Sequence, residues 1–255
     1  MILGIDIGNT TVEVALIKDL ENIKSMKFKT DLDKTPDDWL LNFHFLHSFF
    51  NEEKSKVEHI LVSSVVPQID NSIKTSIAKY YGIKPIFIGK DLNIPIKINY
   101  ENPSQVGVDR LLNSFAALQI LSSPIICIDF GTAITFDIVN RYGEYDGGLI
   151  FPGIETSIKC LFSKTAKLPK VSMEKPNSVV GKNTVNSIQS GLYYGYLSLV
   201  EGVIERIESF YKEDFNVVIT GGNANLILQD LQRKVFYEPK LPMKGIFYLA
   251  KSHLK

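Results

Sequence analysis

Apolar and polar residues follow the same pattern at two places in the chain. At the start, the β-branched apolar run Ile2–Ile7 stops at Gly-Asn-Thr, and the next residues, TTVEVALI, alternate polar with apolar. This alternation predicts a strand, a tight turn and a second strand. The later segment SPIICIDFGTAITFDIVN has an apolar run, the turn residues Phe-Gly-Thr and a second alternating run that ends near Asn140. The chain is therefore predicted to contain two similar hairpins.

The two hairpins align at one offset, 129 − 6 = 123 residues. The offset places three pairs of residues over each other: Asp6 over Asp129, Gly8 over Gly131 and Val14 over Asp137. Because the offset is about half the chain, it indicates an internal duplication. We expect an N-terminal half at residues 1–115 and a C-terminal half at residues 116–255.

The remaining pattern predicts strands and helices in a similar order in each half. In the first half we expect a third strand at 23–29, a helix at 36–50, a strand through HILVSSVV, a helix at 69–81 and a strand at 85–88. In the second half we expect strands at 125–128, 135–139 and through GGLIF, a helix at 184–211, the strand NVVIT, a turn into a helix through TGGNANLILQDL, the strand VFYE and a closing helix at 243–251. Mixed sheets flanked by helices and built twice define an α/β fold with a cleft between its halves.

Composition narrows the class of partner. Lysine plus arginine equals aspartate plus glutamate, 28 against 28, so no broad attraction to nucleic acid or to an anionic membrane is expected. No apolar run approaches the ~20 residues that span a bilayer. Two cysteines cannot build a disulfide framework, and the first residues, MILGIDIGNT, lack the basic segment of a signal peptide. We expect a cytoplasmic protein whose phosphate binding is local.

Six short motifs occur in a characteristic order, namely DIGNTTVE, GVDR, DFGTAITFD, GGLIFPGI, GKNTVNSIQSGLYYG and TGGNA. Two Asp-x-Gly turns and a late Thr-Gly-Gly resemble the phosphate and adenosine motifs of the actin, hexokinase and Hsp70 superfamily. The full set resembles the type III pantothenate kinases nearly end to end. The resemblance implies duplicated ribonuclease H-like (actin-like ATPase) domains and ATP-dependent phosphorylation of pantothenate to 4′-phosphopantothenate, the first step of coenzyme A biosynthesis.

The first glycine turn suits phosphate. Gly8 lets the chain turn with its amides exposed, and the neighbouring polar side chains add donors without a large positive charge. Asp6, at the end of the predicted strand, suits a hydrated magnesium ion shared with the nucleotide. A plain hairpin turn beside an ordinary aspartate is the alternative. The expected nucleotide contacts here are Asp6, Ile7, Gly8, Asn9, Thr10, Thr11, Val12 and Glu13.

The resemblance assigns roles to the second turn and to the late glycines. It implies that Thr132 contacts ATP and that Asp129 coordinates a monovalent cation, potassium or ammonium, although Asp129 could instead only cap the amides of the turn. It also implies that Gly221 and Gly222 lie flat against the nucleotide, although they could serve only as a strand-to-helix turn.

The motif GVDR supplies the catalytic residue in this interpretation. Transfer of a phosphoryl group to a hydroxyl needs a carboxylate within hydrogen-bond reach of the attacking oxygen, and Asp109 fits. Arg110 offers a bidentate fork for the carboxylate of pantothenate. The alternative is an aspartate that caps a helix and an arginine in a surface ion pair.

The resemblance extends the substrate site beyond GVDR. It implies that the pantothenate side is lined by Tyr100, Gly107, Val108, Asp109, Arg110 and Thr184. Thr184 could instead cap the long helix that follows it. Members of the family are homodimers in which the partner subunit helps to enclose the pantothenate site, and the apolar spacing of the long helix fits packing and a subunit interface.

Two other functions are compatible with the nucleotide motifs. One is a kinase of the same fold that acts on a sugar or another acid. The other is a non-catalytic regulator that keeps a nucleotide-binding fold, since a fold does not guarantee chemistry. Retention of Asp6, Asp109, Asp129 and Thr132 favours an enzyme.

Overall fold

The chain folds into two compact units. The computed structural model describes residues 1–165 and 167–253. The first unit contains Met1–Lys97, Glu101–Ile120 and the closing segment from Lys240 onward, and the second contains Ile98–Tyr100 and Leu121–Pro239.

The first unit is built on a five-stranded mixed sheet whose strand order is β3-β2-β1-β4-β5. Its strands are β1 (Ile2–Ile7), β2 (Thr11–Ile17), β3 (Ile23–Lys29), β4 (His59–Ser64) and β5 (Ile86–Phe87). Strand β1 runs antiparallel to β2 and parallel to β4, and β4 runs parallel to β5. The carboxyl ends of β1, β4 and β5 therefore meet at one edge of the sheet, which we call the first carboxyl edge.

Helices cover both faces of this sheet. They are α1 (Pro36–Phe50), α2 (Pro67–Tyr81) and α3 (Val108–Leu118). Helix α1 begins where the sequence predicts, because Thr35 and Asp38 form a capping box with reciprocal side-chain to backbone hydrogen bonds. One face of the sheet packs on α1 and α2 through a core that includes Trp39 and Phe43, both fully buried.

The second unit repeats the topology of the first. Its strands are β6 (Ile125–Phe130), β7 (Ala133–Val139), β8 (Tyr145–Pro152), β9 (Asn216–Thr220) and β10 (Phe236–Tyr237). Their order is β10-β9-β6-β7-β8. Read in reverse, with β6 counted as the first strand, this is the strand order of the first sheet. Strand β6 runs antiparallel to β7 and parallel to β9. The predicted duplication of an α/β unit is confirmed.

The alignment of the two hairpins is wrong beyond the turn. Val14 pairs with Ile5, whereas Asp137 pairs with Cys127. Gly4 is the counterpart of Cys127 in the first hairpin, and it pairs with Ala15. Asp137 therefore corresponds to Ala15 and not to Val14. The cause is a second turn that is one residue shorter. A shift of one residue moves a side chain to the other face of the sheet.

Two local predictions in the second half need correction. An amphipathic helix, α4 (Ile154–Lys164), follows Pro152 where none was predicted, and it buries Ile154 and Ile158. The predicted helix after Thr220 is instead two short 3₁₀ turns, Ala224–Leu226 and Leu228–Asp230. Asparagines at 223 and 225 favour local turns over a helix interior. The long helix α5 (Thr184–Tyr211) has the predicted bounds.

The last helix, α6 (Leu241–His253), belongs to the first unit and not to the C-terminal half in which the sequence placed it. It packs on α3 and on the second face of the first sheet, where Ile246 joins Ile17 and Leu112 in one core. Gly245 makes this packing possible, because an added Cβ would lie 2.8 Å from Leu112 Cδ1. Within the described part of the chain, no helix is long and apolar enough to cross a membrane.

Candidate active site

The first glycine turn lies at the first carboxyl edge. Asp6 is the penultimate residue of β1, and Asn9, Thr10 and Thr11 are exposed in the turn that follows it. The amide of Gly8 donates to the carbonyl of Thr11 at 3.0 Å, so this amide closes the hairpin. The sequence suggested that it would be open to a phosphate, and it is not. The exposed donors of the turn are thus those of residues 9–11.

Glycine at position 8 is not required by the backbone conformation, since its φ is not positive. An added Cβ would meet only the Thr11 carbonyl oxygen, at 3.3 Å. The missing side chain therefore leaves room above the turn, which is what close approach of a phosphate needs.

Thr30 supports this turn and was not identified from the sequence. Its hydroxyl donates to the carbonyl of Gly8 at 2.6 Å, and its amide donates to the carbonyl of Thr10 at 2.9 Å. Thr30 follows strand β3, so only the pairing of β3 with β2 brings it to the turn. No local signal marks it.

The other predicted contacts of this motif differ in what they can offer. The side chains of Ile7 and Val12 are buried in the core on the α1 side, so only their backbone could reach a nucleotide. Glu13 lies directly across from Asp6 on β2, and its carboxylate forms an ion pair with Lys27 at 3.3 Å. The two carboxylates share one face of the sheet at the first carboxyl edge.

The GVDR motif forms the start of helix α3 at the same edge. Val108 packs against Gly89, just after β5, where an added Cβ would lie 3.3 Å from Val108 Cγ2. Gly107 is the N-cap, and Asp109 lies in the first turn. The alternative that Asp109 is the N-cap residue is therefore wrong, although its Oδ1 does accept the amide of Arg110 at 2.8 Å.

The environment of Asp109 favours a proton acceptor. Burial raises the pKa of the Asp109 carboxyl above its usual value of 3.8, and this effect outweighs the opposing hydrogen bond and positive charge of Arg110. A carboxylate with a raised pKa holds a transferred proton better than an ordinary aspartate does. This is the property that a general base needs.

Gly107 fixes the position of that carboxylate. An added Cβ at position 107 would lie 2.4 Å from Asp109 Oδ1, while the backbone, with φ −59° and ψ 139°, is open to any residue. Glycine is thus required at position 107 to leave room for the Asp109 carboxylate and not by the backbone conformation.

We expect Gly107→Ala to fold normally and to lose kcat by on the order of 10-fold to 100-fold, because the methyl group displaces the Asp109 carboxylate. Steady-state kinetics with a thermal melt measure both effects. The melt is the control, since an unchanged Tm shows that the added methyl group leaves the fold intact. Full turnover in Gly107→Ala would contradict this role for the glycine.

The second unit gathers its motifs at the carboxyl ends of β6 and β9, which we call the second carboxyl edge. Asp129 pairs with Thr220 at the end of these parallel strands. Gly221 then turns back with φ +94°, and an added Cβ would lie 2.6 Å from the backbone of Phe130 and 2.7 Å from Asp129 Oδ1. The late glycine turn (Gly221 and Gly222) is therefore in contact with the start of the second phosphate turn (Gly131–Ala133).

Gly222 is placed differently from Gly221. It is exposed, and an added Cβ would meet no atom within 4 Å. The open surface at Gly222 is suited to a flat ligand, while Gly221 is needed by the protein itself. Gly221 thus fits the interpretation of the motif as a turn, and Gly222 fits its interpretation as a ligand contact.

Helix α4 begins on the second phosphate turn. The carbonyl of Thr132 accepts the amide of Gly153 at 3.0 Å and the hydroxyl of Thr156 at 2.7 Å. An added Cβ at Gly153 would lie 2.4 Å from the carbonyl oxygen of Gly131. Gly153 was not singled out from the sequence, but Pro-Gly followed by apolar residues at 154, 158 and 161 is a helix-start signal that could have found it.

The predicted substrate residues belong to both units. Gly107, Val108, Asp109 and Arg110 belong to the first unit, whereas Tyr100 and Thr184 belong to the second. Asn183, not Thr184, caps α5, because its side chain accepts the amide of Asn186 at 2.9 Å. The capping alternative for Thr184 is therefore wrong.

Thr184 is remote from the second carboxyl edge. The hydroxyl of Tyr196 donates to the carbonyl of Pro152 there, at 2.9 Å, and Thr184 lies twelve residues earlier on α5, about 18 Å along the helix axis. Tyr211, at the other end of α5, bonds to Asp146 near the start of β8. The first turns of α5 thus extend past this edge, and Thr184 is exposed on them.

Within the described residues, no group of three or more histidine, cysteine, aspartate or glutamate side chains could hold a metal ion alone. Asp6 at the first edge and Asp129 at the second carry hard carboxylate oxygens, the ligand type that magnesium and potassium bind.

Two duplicated α/β units with acidic glycine turns at their carboxyl edges define a protein of the actin-like ATPase fold. Solved structures agree on the fold. A candidate N-acetylmannosamine kinase from Listeria monocytogenes superposes with a TM-score of 0.52 at 14% identity and covers 100% of this chain and 99% of its own. A candidate Baf family transcriptional activator from Campylobacter jejuni reaches 0.61 at 19% identity and covers 98% of each chain.

Sequence comparison identifies the family. The pattern of the type III pantothenate kinases matches residues 2–206. The type III pantothenate kinase of Sulfurihydrogenibium sp. (strain YO3AOP1) is 57% identical over 98% of this chain and 100% of its own length. That of Persephonella marina is 48% identical over 99% of each. The chain belongs to the type III pantothenate kinase family and is an ATP-dependent kinase.

Proposed function

We propose that Asp109 is the general base with which this pantothenate kinase transfers the γ-phosphoryl group of ATP to the primary hydroxyl of pantothenate. The new bond forms between the hydroxyl oxygen and the γ-phosphorus, the bond to the β–γ bridging oxygen breaks, and ADP leaves. The hydroxyl proton passes to Asp109. The observation that carries this proposal is the half-buried carboxylate at the start of α3, with its raised pKa and its position fixed by Gly107.

The phosphates of ATP are proposed to lie on the two acidic glycine turns. The exposed residues 9–11 would bind oxygens at the first edge, and Thr132, whose backbone is held by α4, would bind them at the second. The chain has zero net charge and so has no excess of positive charge to offset the phosphates. A magnesium ion at Asp6 and a potassium or ammonium ion at Asp129 would supply that charge.

The adenosine is proposed to lie on Gly222, whose Cα is open to solvent beside the Gly221 turn. Pantothenate would be bound by Arg110 through its carboxylate and by Tyr100. Tyr100 lies beside Asp146, which bonds Tyr211 at the end of α5, whereas Thr184 begins α5 about 40 Å away, so Thr184 is proposed to act from the second copy of a homodimer. An arginine fork is the side chain best matched to a carboxylate.

A homodimer is proposed, formed through helix α5. The support is a groove of about 290 Å³ beside Gly191 and Gly195, which open one side of α5 to close approach by another helix, with Leu199 and Phe151 as apolar lining. A second copy of the chain is the proposed occupant, and the molar mass in solution tests it. A cytoplasmic location is proposed because ATP is the phosphoryl donor.

Turnover should fall at acid pH. The base must be ionised, so kcat is expected to decrease as the pH drops through the raised pKa of Asp109, with an acid limb above pH 3.8. A pH profile of kcat measures this. An enzyme that keeps full kcat down to pH 3.8 while still folded would contradict a raised pKa at the catalytic carboxylate.

The direct test of the function is product formation. Purified protein with ATP, magnesium and potassium should convert pantothenate to 4′-phosphopantothenate, detected by mass spectrometry with ADP release measured in parallel. Replacing potassium with sodium tests the cation at Asp129. No phosphorylated pantothenate from the wild-type protein in potassium buffer would reject the proposal.

A further inference from the structure

A β-bulge in strand β8 changes the direction of one tyrosine. Asp137 pairs with Gly148, but Val139 pairs with Tyr145, so β8 has one residue more than β7 between these two pairs. Gly147 lies in the bulge with φ +106°, a conformation that favours glycine. Bulges re-aim side chains because the extra residue shifts the alternation of faces. Here the shift turns Tyr145 to the face that carries Asp137.

That change creates a fully buried hydrogen-bond pair. The hydroxyl of Tyr145 donates to Asp137 Oδ1 at 2.8 Å, and the hydroxyl of Thr135 donates to Asp137 Oδ2 at 3.0 Å. Tyr145 and Asp137 are both 0% exposed. A buried carboxylate that loses a donor is costly, so this pair locks the start of β8 in its bulged form.

The outer edge of the bulge holds the segment Ile98–Tyr100. The carbonyl of Tyr145 accepts the amide of Asn99 at 2.8 Å, and Asp146 Oδ1 accepts the Asn99 side-chain amide at 2.5 Å. At Gly147 an added Cβ would lie 3.5 Å from the ring of Tyr100, so the ring rests on the glycine. Three successive bulge residues thus contact this segment, and together they fix where Tyr100 lies.

We propose that the Tyr145–Gly147 bulge, locked by Asp137, positions Tyr100 for the hydroxy-acid substrate. Asp137 and Tyr145 are then positioning residues that act through Tyr100. They set the KM for pantothenate and leave the KM for ATP unchanged. This inference rests on the proposed function, in which Tyr100 contacts pantothenate.

Two variants test the proposal from different sides. Tyr145→Phe removes the buried hydroxyl, and Asn99→Asp places a like charge against Asp146 on an exposed residue, where it cannot disturb the core. Each is expected to raise the KM for pantothenate by about tenfold, with kcat and the KM for ATP unchanged. Tyr193→Phe is the matched control, because it removes another buried tyrosine hydroxyl that donates to a carboxylate, Asp230, in the same unit.

A readout independent of activity accompanies the kinetics. Hydrogen exchange of the Asn99 amide, which is bonded to Tyr145, should accelerate in both variants and stay slow in the control. Faster exchange together with the selective rise in KM supports the proposal. Faster exchange with an unchanged KM for pantothenate, unchanged exchange, or an equal rise in both KM values overturns it while the kinase function stands. If the wild-type protein forms no phosphorylated pantothenate, the proposed function fails first and this inference falls with it.

Discussion

Asp109→Asn is expected to lower kcat by about 10²- to 10⁴-fold, the usual contribution of a general base, while leaving the KM for ATP nearly unchanged. The amide has the shape of the carboxylate but cannot accept the hydroxyl proton. Initial rates of phosphopantothenate formation measure the loss.

The same variant should be at least as stable as the wild-type protein at neutral pH. The folded-state pKa of Asp109 is raised, so the stability that its neutral form provides is present below pH 3.8 and is lost as the pH rises through the folded pKa. Asparagine is neutral at every pH and avoids that loss. Inactivity combined with an unchanged or higher Tm would separate a catalytic role from a structural one.

Asp37→Asn is the matched control for this variant. Asp37 is also the second residue of a helix, α1, and it lies exposed in an ion pair with Lys79. Its replacement should leave kcat within a factor of about two, since exposed ion pairs contribute little. Equal losses in the two variants would contradict the assignment of the base.

Gly221→Ala is expected to lower both stability and nucleotide binding. The added Cβ would lie 2.6 Å from the Phe130 backbone and 2.7 Å from Asp129 Oδ1, in a backbone with φ +94°. Strain and overpacking of this kind cost at least about 2 kcal/mol, so Tm should fall by several degrees. Because the clash involves Asp129 and the second phosphate turn, the Kd for ATP should rise as well, as calorimetry would measure.

Gly222→Ala separates the two effects. The neighbouring glycine has no positive φ and no atom within 4 Å of an added Cβ, so the variant should keep the wild-type Tm. If adenosine lies on Gly222, the methyl group should still weaken ATP binding. A Gly221→Ala protein that melts and binds ATP like the wild type would contradict the contact between the two turns.

Most elements of the fold could be predicted from periodicity. The strands β1 and β3 and the helices α1 and α5 have the predicted bounds, because each carries a clear apolar period and a recognisable cap or turn. Helix α4 was missed because it is short and follows directly from a strand without a polar break. The end of the chain was placed in the wrong unit because α6 packs on residues far away in sequence, among them Leu112.

The candidate site divides in the same way. Asp6, Asp109 and Asp129 could be found because each stands in a motif with local signals. Thr30 could not, because its contact with the first turn depends on strand pairing. Gly153 was missed although the Pro-Gly helix-start signal marks it. The roles of Asp109, Asp129 and the remaining predicted ligands stay predictions.

The sequence by itself determined that the chain contains two copies of an α/β unit and that each copy opens with an acidic glycine turn. It also determined that the chain belongs to a family of kinases. These properties are local, since an apolar period and a turn are set by neighbouring residues. Only the tertiary structure decided which side chains share a face. One residue less in the second turn and one more in the β8 bulge bring Asp137 and Tyr145 together on one face of the sheet. The physical reason is that side chains alternate along a strand, so a shift of a single residue, invisible to composition and period, reverses the direction in which each later side chain points.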